Sequence, residues 1–335
     1  MKEHTIAIPR RLDLRASLKW ASNLFCSPHA DRYYIDFKDM EWIEPFLFLF
    51  LSSNIQRFEA MNPASEFLAK NFQRHSYAAH MGFFKALNID FGNNPGEARG
   101  SRTYLPITVL SIRELQKEAA LKAIHAGQLL ENHATHLARL LTQEDSSHLV
   151  DTLTYTLREI MRNAVEHSET DSFQYCGQYW PNTNTVQIAI LDNGVGVRKG
   201  LSNNPKLRIL SDDHALRLST LPGITGKPDR SKIEDYDDWA NSGYGLYLTK
   251  RLCTKGGSFF ICSGNKGLYS KANDNDKYLS SNFKGTALRM ILDKNSISTL
   301  KTALKQFRIE GEEMAKTFID GAPRASASSQ GIISR

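Results

Sequence analysis

Cysteine is scarce in this sequence, and the few cysteines show no metal-binding pattern. The four residues, Cys26, Cys176, Cys253 and Cys262, include no C-x-x-C pair and have no nearby histidine at zinc-ligand spacing. We therefore expect buried, reduced thiols rather than metal ligands.

Long apolar runs are also missing. The longest, from Trp42 to Leu51, is interrupted by Glu44 and Pro45 and has about half the length that a bilayer-spanning helix needs. The first residues, Met1 to His4, place an acid and a histidine where a signal peptide has basic residues followed by apolar ones. The sequence therefore predicts a cytoplasmic protein without a membrane segment.

No long basic block and no internal repeat is present. The net charge is +6 and the pI is near 9.0, but acids and bases are interspersed, so contact with nucleic acid is permitted without being required. A composition of 41% hydrophobic and 23% charged residues is typical of globular proteins. At 335 residues the chain exceeds the usual size of one core, which predicts at least two domains.

Changes of pattern divide the chain into four parts. Residues 1–110 mix strand and helix signals, with a β-rich run at Arg32–Phe37 and a helix predicted to begin at Pro45. Residues 111–147 have apolar residues at helical spacing and predict a connector that could also form a homodimer contact. Residues 148–295 carry the motifs described next. Residues 296–335 predict a helix over Ser296–Phe318 and a disordered tail from Gly321.

A helix is predicted from Leu149 to His167, with Glu159, Asn163 and His167 stacked at intervals of four residues. A carboxylate one turn from a carboxamide suits magnesium–nucleotide chemistry, because Mg²⁺ accepts a neutral oxygen ligand and keeps several waters. The carboxylate could orient one of those waters. The same pair also occurs on ordinary solvated helix faces, so its weight depends on the neighbouring motifs.

An antiparallel hairpin is predicted to follow, with strands Ser172–Trp180 and Thr185–Leu191. Its second strand ends in Asp192-Asn-Gly-Val-Gly196. The glycines let the backbone approach a ligand, and an aspartate at a strand end can accept a hydrogen bond from an adenine amino group. The long polar stretch from Val197 to Asn241 predicts a lid.

The remaining pattern is a helix and a second hairpin. Gly243 and Gly245 open the helix, whose free amides and dipole could face phosphates. Strands are predicted at Ser258–Ser263 and Phe283–Leu292, with a loop from Gly264 to Asn282 between them. The order helix, hairpin, lid, helix, hairpin predicts an antiparallel sheet with helices on one face.

These segments resemble the motifs of the GHKL ATPase superfamily, the fold shared by gyrase, heat-shock chaperones, mismatch-repair ATPases and histidine kinases. Glu159–His167 is similar to its N-box, Asp192–Gly196 to its first glycine box, Ser242–Leu246 to its second, and Gly285-Thr286 to its last. The resemblance implies an α+β protein in which a Bergerat-type α/β sandwich follows a smaller N-terminal α/β domain.

The resemblance also implies roles for particular residues. Asn163 would ligate Mg²⁺, Asp192 would hold the adenine amino group of ATP, and Thr286 would support it. Glu159 would be the general base, activating a water for hydrolysis or a protein hydroxyl for phosphotransfer. Gly194 and Gly196 would line the base pocket. The phosphates would be bound by Ser242, Gly243, Tyr244, Gly245 and Leu246.

Upstream, Ile35–Glu44 is similar to the strand and loop that precede the regulatory helix of STAS-type domains, which bind anti-sigma-factor kinases. Pro45 and Phe46 stand where that family often has a phosphorylatable serine or threonine, so we expect no phosphoregulation there. The next strand of that fold is not evident between Ser52 and Ser76. The likeness implies a protein partner bound through residues 1–110.

Three functions remain open. The first is a bacterial-type ATPase or kinase-like regulator that uses Glu159. The second is a sensor histidine kinase with an acceptor among His125, His133 and His136, although none is followed by the usual acid and proline. The third is a non-enzymatic, ATP-gated dimerising clamp or scaffold.

Overall fold

Two β-sheets organise the computed structural model, which describes residues 1–226 and 243–318. A three-stranded parallel sheet lies near the N-terminus, and a five-stranded antiparallel sheet is built from later segments. The predicted α+β class is therefore confirmed. Among the helices of these described ranges, none combines the length and apolar character needed to cross a bilayer.

The N-terminal sheet alternates with helices. Its elements are β1 (Glu3–Ala7), α1 (Leu14–Leu24), β2 (Arg32–Asp36), α2 (Pro45–Met61) and β3 (Glu66–Lys70). Strand β2 lies in the centre and pairs in parallel with both neighbours. The sequence did not reveal β3, which was an error: it has only five residues, and only Phe67 and Ala69 turn towards the core, so its pattern is too short to recognise.

Two short helices follow β3. They are α3 (Ser76–His80) and α4 (Phe83–Ala86), separated by Gly82 in the left-handed region at φ +89°. Next comes β4 (Tyr104–Ser111), which pairs with β5 (Ser172–Trp180) at the edge of the larger sheet. The domain boundary predicted at residue 110 thus falls inside a strand of that sheet.

The predicted connector consists of two helices, α5 (Ile112–Leu121) and α6 (Ala126–Thr142), with Ala123 at φ +50° between them. The motif-bearing helix is α7 (His148–His167), and the first hairpin is completed by β6 (Thr185–Asp192). The later elements are α8 (Gly196–Ser202), α9 (Asp212–Ser219), α10 (Gly245–Gly256), β7 (Gly257–Lys271), β8 (Lys277–Asp293) and α11 (Ile297–Phe318).

Two predicted loops are partly regular structure. Most of the loop predicted from Gly264 to Asn282 continues the β7–β8 hairpin, with pairs from Lys266↔Ser280 to Tyr269↔Lys277, because alternating polar residues hide the strand signal. The predicted lid begins with α8 and α9. Residues 227–242, which include the rest of the predicted lid and Ser242 of the second glycine box, lie outside the described residues, as does the tail from Gly321.

The larger sheet has the strand order β4-β5-β6-β8-β7 and an apolar core on each face. Helices α6, α7 and α10 cover one face, as predicted. Helix α2 of the N-terminal part covers the other: Phe50 stacks on Phe283 of β8, while Phe58 contacts Tyr33 of β2. The run from Phe46 to Leu51 is at most 1% exposed, because α2 is enclosed on several sides.

Candidate functional site

A pocket lies on the α7 side of the larger sheet, where the ends of β6 and α7 meet β8 and the start of α10. It brings together predicted site residues from all four motif segments. Those that line it are Asn163, Asp192, Gly196, Gly243, Gly245, Leu246 and Thr286. The apolar part of the wall is formed by Ile160, Ala164, Ile190, Val197, Leu201, Ile224, Ile261 and Leu288.

Asp192 is the buried carboxylate of this pocket. It ends β6, pairs with Thr286 of β8 in the sheet register, and is 7% exposed. The N–H of Gly194 donates to Asp192 Oδ1 at 2.9 Å, and the backbone and hydroxyl of Thr286 donate further hydrogen bonds. Burial raises the pKa of Asp192 to about 6, although these hydrogen bonds oppose the rise. A ligand N–H that reached this carboxylate would favour its ionised form.

The close contact between β6 and β8 at this point requires glycine. Gly285 has φ +98°, and a Cβ at this position would lie 2.1 Å from the carbonyl oxygen of Asp192. Any side chain would therefore push the two strands apart. Gly285 thus fixes Thr286 beside Asp192, which explains why the Gly285-Thr286 pair belongs to the site although Gly285 itself has no functional group.

On α7, Asn163 and Glu159 lie in different surroundings. Asn163 lines the pocket, whereas Glu159 is 1% exposed and accepts a hydrogen bond from Arg162 Nη1 at 3.4 Å. Arg162 also contacts Glu166, at 2.5 Å. Burial lowers the pKa of Arg162, but Glu166 and Glu159 more than offset this, so the net pKa is raised. The predicted general base is therefore part of a buried ionic group.

Helix α10 brings its first turn against α7. A Cβ at Gly245 would lie 2.7 Å from Cβ of Glu159, so the absence of a side chain lets the two helices touch there. Gly243, Gly245 and Leu246 line the pocket, which puts the start of α10 at its rim. Between them in the chain, Tyr244 has its ring fully buried in the core beside Tyr247. Its neighbour Ser242 lies outside the described residues.

Several residues of the site were not predicted. Arg162 follows Glu159 by three residues and precedes Glu166 by four. This helical spacing is a signal that could have revealed the ionic group. Ser168 and Ser263 hold the first glycine segment: Val195 N donates to Ser168 O at 2.7 Å, and Val197 N to Ser263 Oγ at 2.9 Å. These two contacts depend on tertiary packing, and no local pattern announces them.

The described side chains contain no ready-made metal cluster. Within residues 1–226 and 243–318, no group of three or more histidine, cysteine, aspartate or glutamate side chains is arranged to hold an ion. A magnesium ion at Asn163 would therefore need ligand phosphates and waters for most of its coordination, which is the usual manner of magnesium in nucleotide sites.

The candidate phosphoacceptor histidines lie on or beside α6. His125 caps the helix by accepting from the N–H of Gly127, and His133 Nδ1 is 2.8 Å from the hydroxyl of Tyr175. Burial lowers the pKa of His133. His136 is exposed.

No protein-family model matches this chain, and no curated protein sequence matches it significantly.

Proposed function

We propose that this chain binds Mg-ATP in the pocket between α7, β6, β8 and α10, as a GHKL-type nucleotide-binding protein. The observation that carries the proposal is the Asp192–Thr286 pair on the wall of a largely apolar pocket. A largely apolar wall with a buried carboxylate acceptor suits a flat heterocycle that has an amino group. The glycine-rich backbone at the start of α10 lines the same pocket. Free N–H groups at the start of a helix favour the binding of phosphate.

Each chain residue then has a defined task. Asp192 accepts a hydrogen bond from the adenine amino group, and Thr286 holds the carboxylate in place. The side-chain oxygen of Asn163 would be a ligand for Mg²⁺, and the backbone of Gly243 and Gly245, on the same pocket wall, would contact the phosphates. Bound ATP would supply a transferable phosphoryl group.

For the reaction, we propose that Glu159 is the general base of ATP hydrolysis or of transfer to a protein hydroxyl. Its position beside Gly245 supports this role, because the start of α10 is the predicted phosphate segment. Arg162 is closer to Glu166, at 2.5 Å, than to Glu159, at 3.4 Å, so Arg162 can stay paired when Glu159 turns to a water.

A second candidate is an ATP-gated switch that binds the nucleotide without consuming it. The buried ion pair of Glu159 with Arg162 favours this reading, since a carboxylate held by a guanidinium is a weaker base. The two candidates share the pocket and differ only in turnover.

The test is incubation of purified protein with labelled ATP and Mg²⁺, with free phosphate, phosphoprotein and unreacted nucleotide separated. Glu159→Gln should abolish turnover and keep ATP binding, whereas Asn163→Ala should weaken the binding of Mg-ATP. Asp151→Asn is the matched control, because Asp151 lies exposed in the first turn of the same helix. Equal turnover in wild type and Glu159→Gln would remove Glu159 from the mechanism, and intact binding with no turnover in wild type would favour the switch.

The histidine-kinase alternative has its own outcome in the same experiment. It requires acid-labile phosphate on the protein that disappears when His125 or His136 is replaced. His133 is the less accessible acceptor, since its ring is partly buried and its Nδ1 is hydrogen-bonded to the hydroxyl of Tyr175.

A further inference from the structure

Helix α2 contacts the predicted base-binding segment through one hydroxyl. Ser53 is 4% exposed, lies in the middle of α2 after its apolar first half, and donates from Oγ to Asn193 Oδ1 at 2.5 Å. Asn193 is the residue between Asp192 and Gly194 in the first glycine segment. The N-terminal part of the chain therefore touches the loop that carries the adenine-binding carboxylate.

The alternation of strand β6 explains why neighbouring residues reach opposite faces of the sheet. Val186, Ile188 and Ile190 belong to the core beneath α7, whereas Ala189 and Leu191 belong to the core beneath α2. The next residue on the α7 face is Asp192, which lines the pocket, and the next on the α2 face is Asn193, which points towards α2. Two adjacent residues, Asp192 and Asn193, thus connect the pocket to Ser53.

Asn193 is confined from the other side by β8. A Cβ at Gly285 would lie 2.8 Å from Cα of Asn193 and 2.1 Å from the carbonyl oxygen of Asp192. The loop backbone is therefore held between Gly285 of one strand and Ser53 of α2. A small shift at Asn193 would move the N–H of Gly194, which donates to the Asp192 carboxylate.

Polar contacts fix the start of helix α2 on the sheet, and Ser53 therefore has a fixed position relative to β6 and β8. Both carboxylate oxygens of Glu44, just before α2, accept from Arg289 of β8 at 2.9 Å. Glu44 also accepts from Gln187 Nε2 of β6 at 2.7 Å, and the N–H of Phe46 donates back to Gln187 Oε1 at 3.0 Å. The first turn of α2 is thereby tied to the same two strands that carry Asp192 and Thr286.

We infer that Ser53 is a positioning residue for base recognition: through Asn193 it sets the orientation of the Asp192–Gly194 segment. The N-terminal α/β part then contributes to the choice of base, and its displacement would loosen the preference for adenine. This inference rests on the proposed ATP binding at the same pocket.

The test compares two nucleotides in full-length protein. ATP offers an amino group to Asp192, whereas inosine triphosphate has a carbonyl oxygen at that position and cannot donate. Ser53→Ala should weaken ATP binding about fivefold, as expected for one lost hydrogen bond, and leave inosine triphosphate nearly unchanged. The readout is the dissociation constant of inosine triphosphate divided by that of ATP, which Ser53→Ala should lower. A general loss of stability would weaken the binding of both nucleotides together and leave this ratio unchanged.

Ser52→Ala is the matched control. Ser52 is 2% exposed on the same helix, but its hydroxyl donates only to the helix carbonyls of Phe48 and Leu49. It should leave the ratio unchanged. Asn193→Ala removes the acceptor of the same hydrogen bond. Because Asn193 is exposed, this variant tests the contact if Ser53→Ala does not fold. The double variant should be no worse than either single one, since both remove one hydrogen bond.

An unchanged ratio in both Ser53→Ala and Asn193→Ala, with ATP still bound by the wild type, would overturn the inference and leave the proposed function standing. A wild type that binds neither nucleotide would overturn the proposed function and the inference together. A ratio lowered equally by Ser52→Ala would show a non-specific effect of α2 and would also overturn it.

Discussion

The two faces of the five-stranded sheet are equally apolar but are built in different ways. On the α7 face, the pocket residues come in short segments in which a few neighbours act together, such as Asp192 to Gly196. On the α2 face, the polar contacts join residues far apart in the chain: Glu44 and Arg289 are separated by 245 positions, and Ser53 and Asn193 by 140. The comparison teaches that the pocket can be recognised locally, whereas the face that supports it depends on tertiary packing.

The strongest way to disturb the α2 face is to break its ion pair. Glu44→Ala should lower the free energy of unfolding by about 3–5 kcal/mol, because it leaves the guanidinium of Arg289 buried without its partner. The two side chains are only 8% and 12% exposed. Chemical denaturation followed by circular dichroism measures the change.

The control for this prediction is Glu41→Ala. Glu41 pairs with Arg10 at 2.6 Å, but its side chain is 42% exposed, so its removal should change stability far less than Glu44→Ala does. If Glu44→Ala and Glu41→Ala had equal effects, the ion pair would not anchor α2.

On the pocket face the largest expected effect depends on pH. The folded-state pKa of Asp192 is raised to about 6, so the folded protein binds this proton more tightly than the unfolded chain does. The resulting stability is fully present below about pH 4 and is lost as the pH rises through about 6. The loss is at most about 3 kcal/mol, from roughly two pKa units at about 1.4 kcal/mol each.

Asp192→Asn should lack this loss, since it carries no charge. The measurement is the difference in unfolding free energy between wild type and Asp192→Asn from pH 4 to pH 8. A difference that stays constant over this range would contradict the raised pKa. A ligand that donates to the ionised carboxylate should bind more tightly above pH 6, and adenosine tests this without a titrating phosphate.

The sequence predicted much of the pocket face and little of the α2 face. The spacing in α7 and the strand end at Asp192 are local, and β5 and β6 have the predicted bounds to within a residue. Helix α2 was predicted to begin at Pro45, as it does, but its orientation on the sheet was not, because the fully buried run Phe46–Leu51 has no polar side to mark its period. Its partners on β6 and β8 could not be inferred, since Gln187 and Arg289 lie 143 and 245 positions from Glu44 and no local pattern links them.

The smallest expected effect sharpens the same comparison by changing a local feature of the pocket face. Ser147 caps α7 by accepting from the N–H of Val150 at 3.2 Å. Ser147→Ala should cost about 1 kcal/mol of unfolding free energy, because one amide at the helix start loses its partner. Glu159 and Asn163 lie three to four turns further along the helix, so nucleotide affinity should not change. A clear loss of affinity in Ser147→Ala, measured by calorimetry with ATP and Mg²⁺, would mean that the pocket face is as dependent on distant packing as the α2 face.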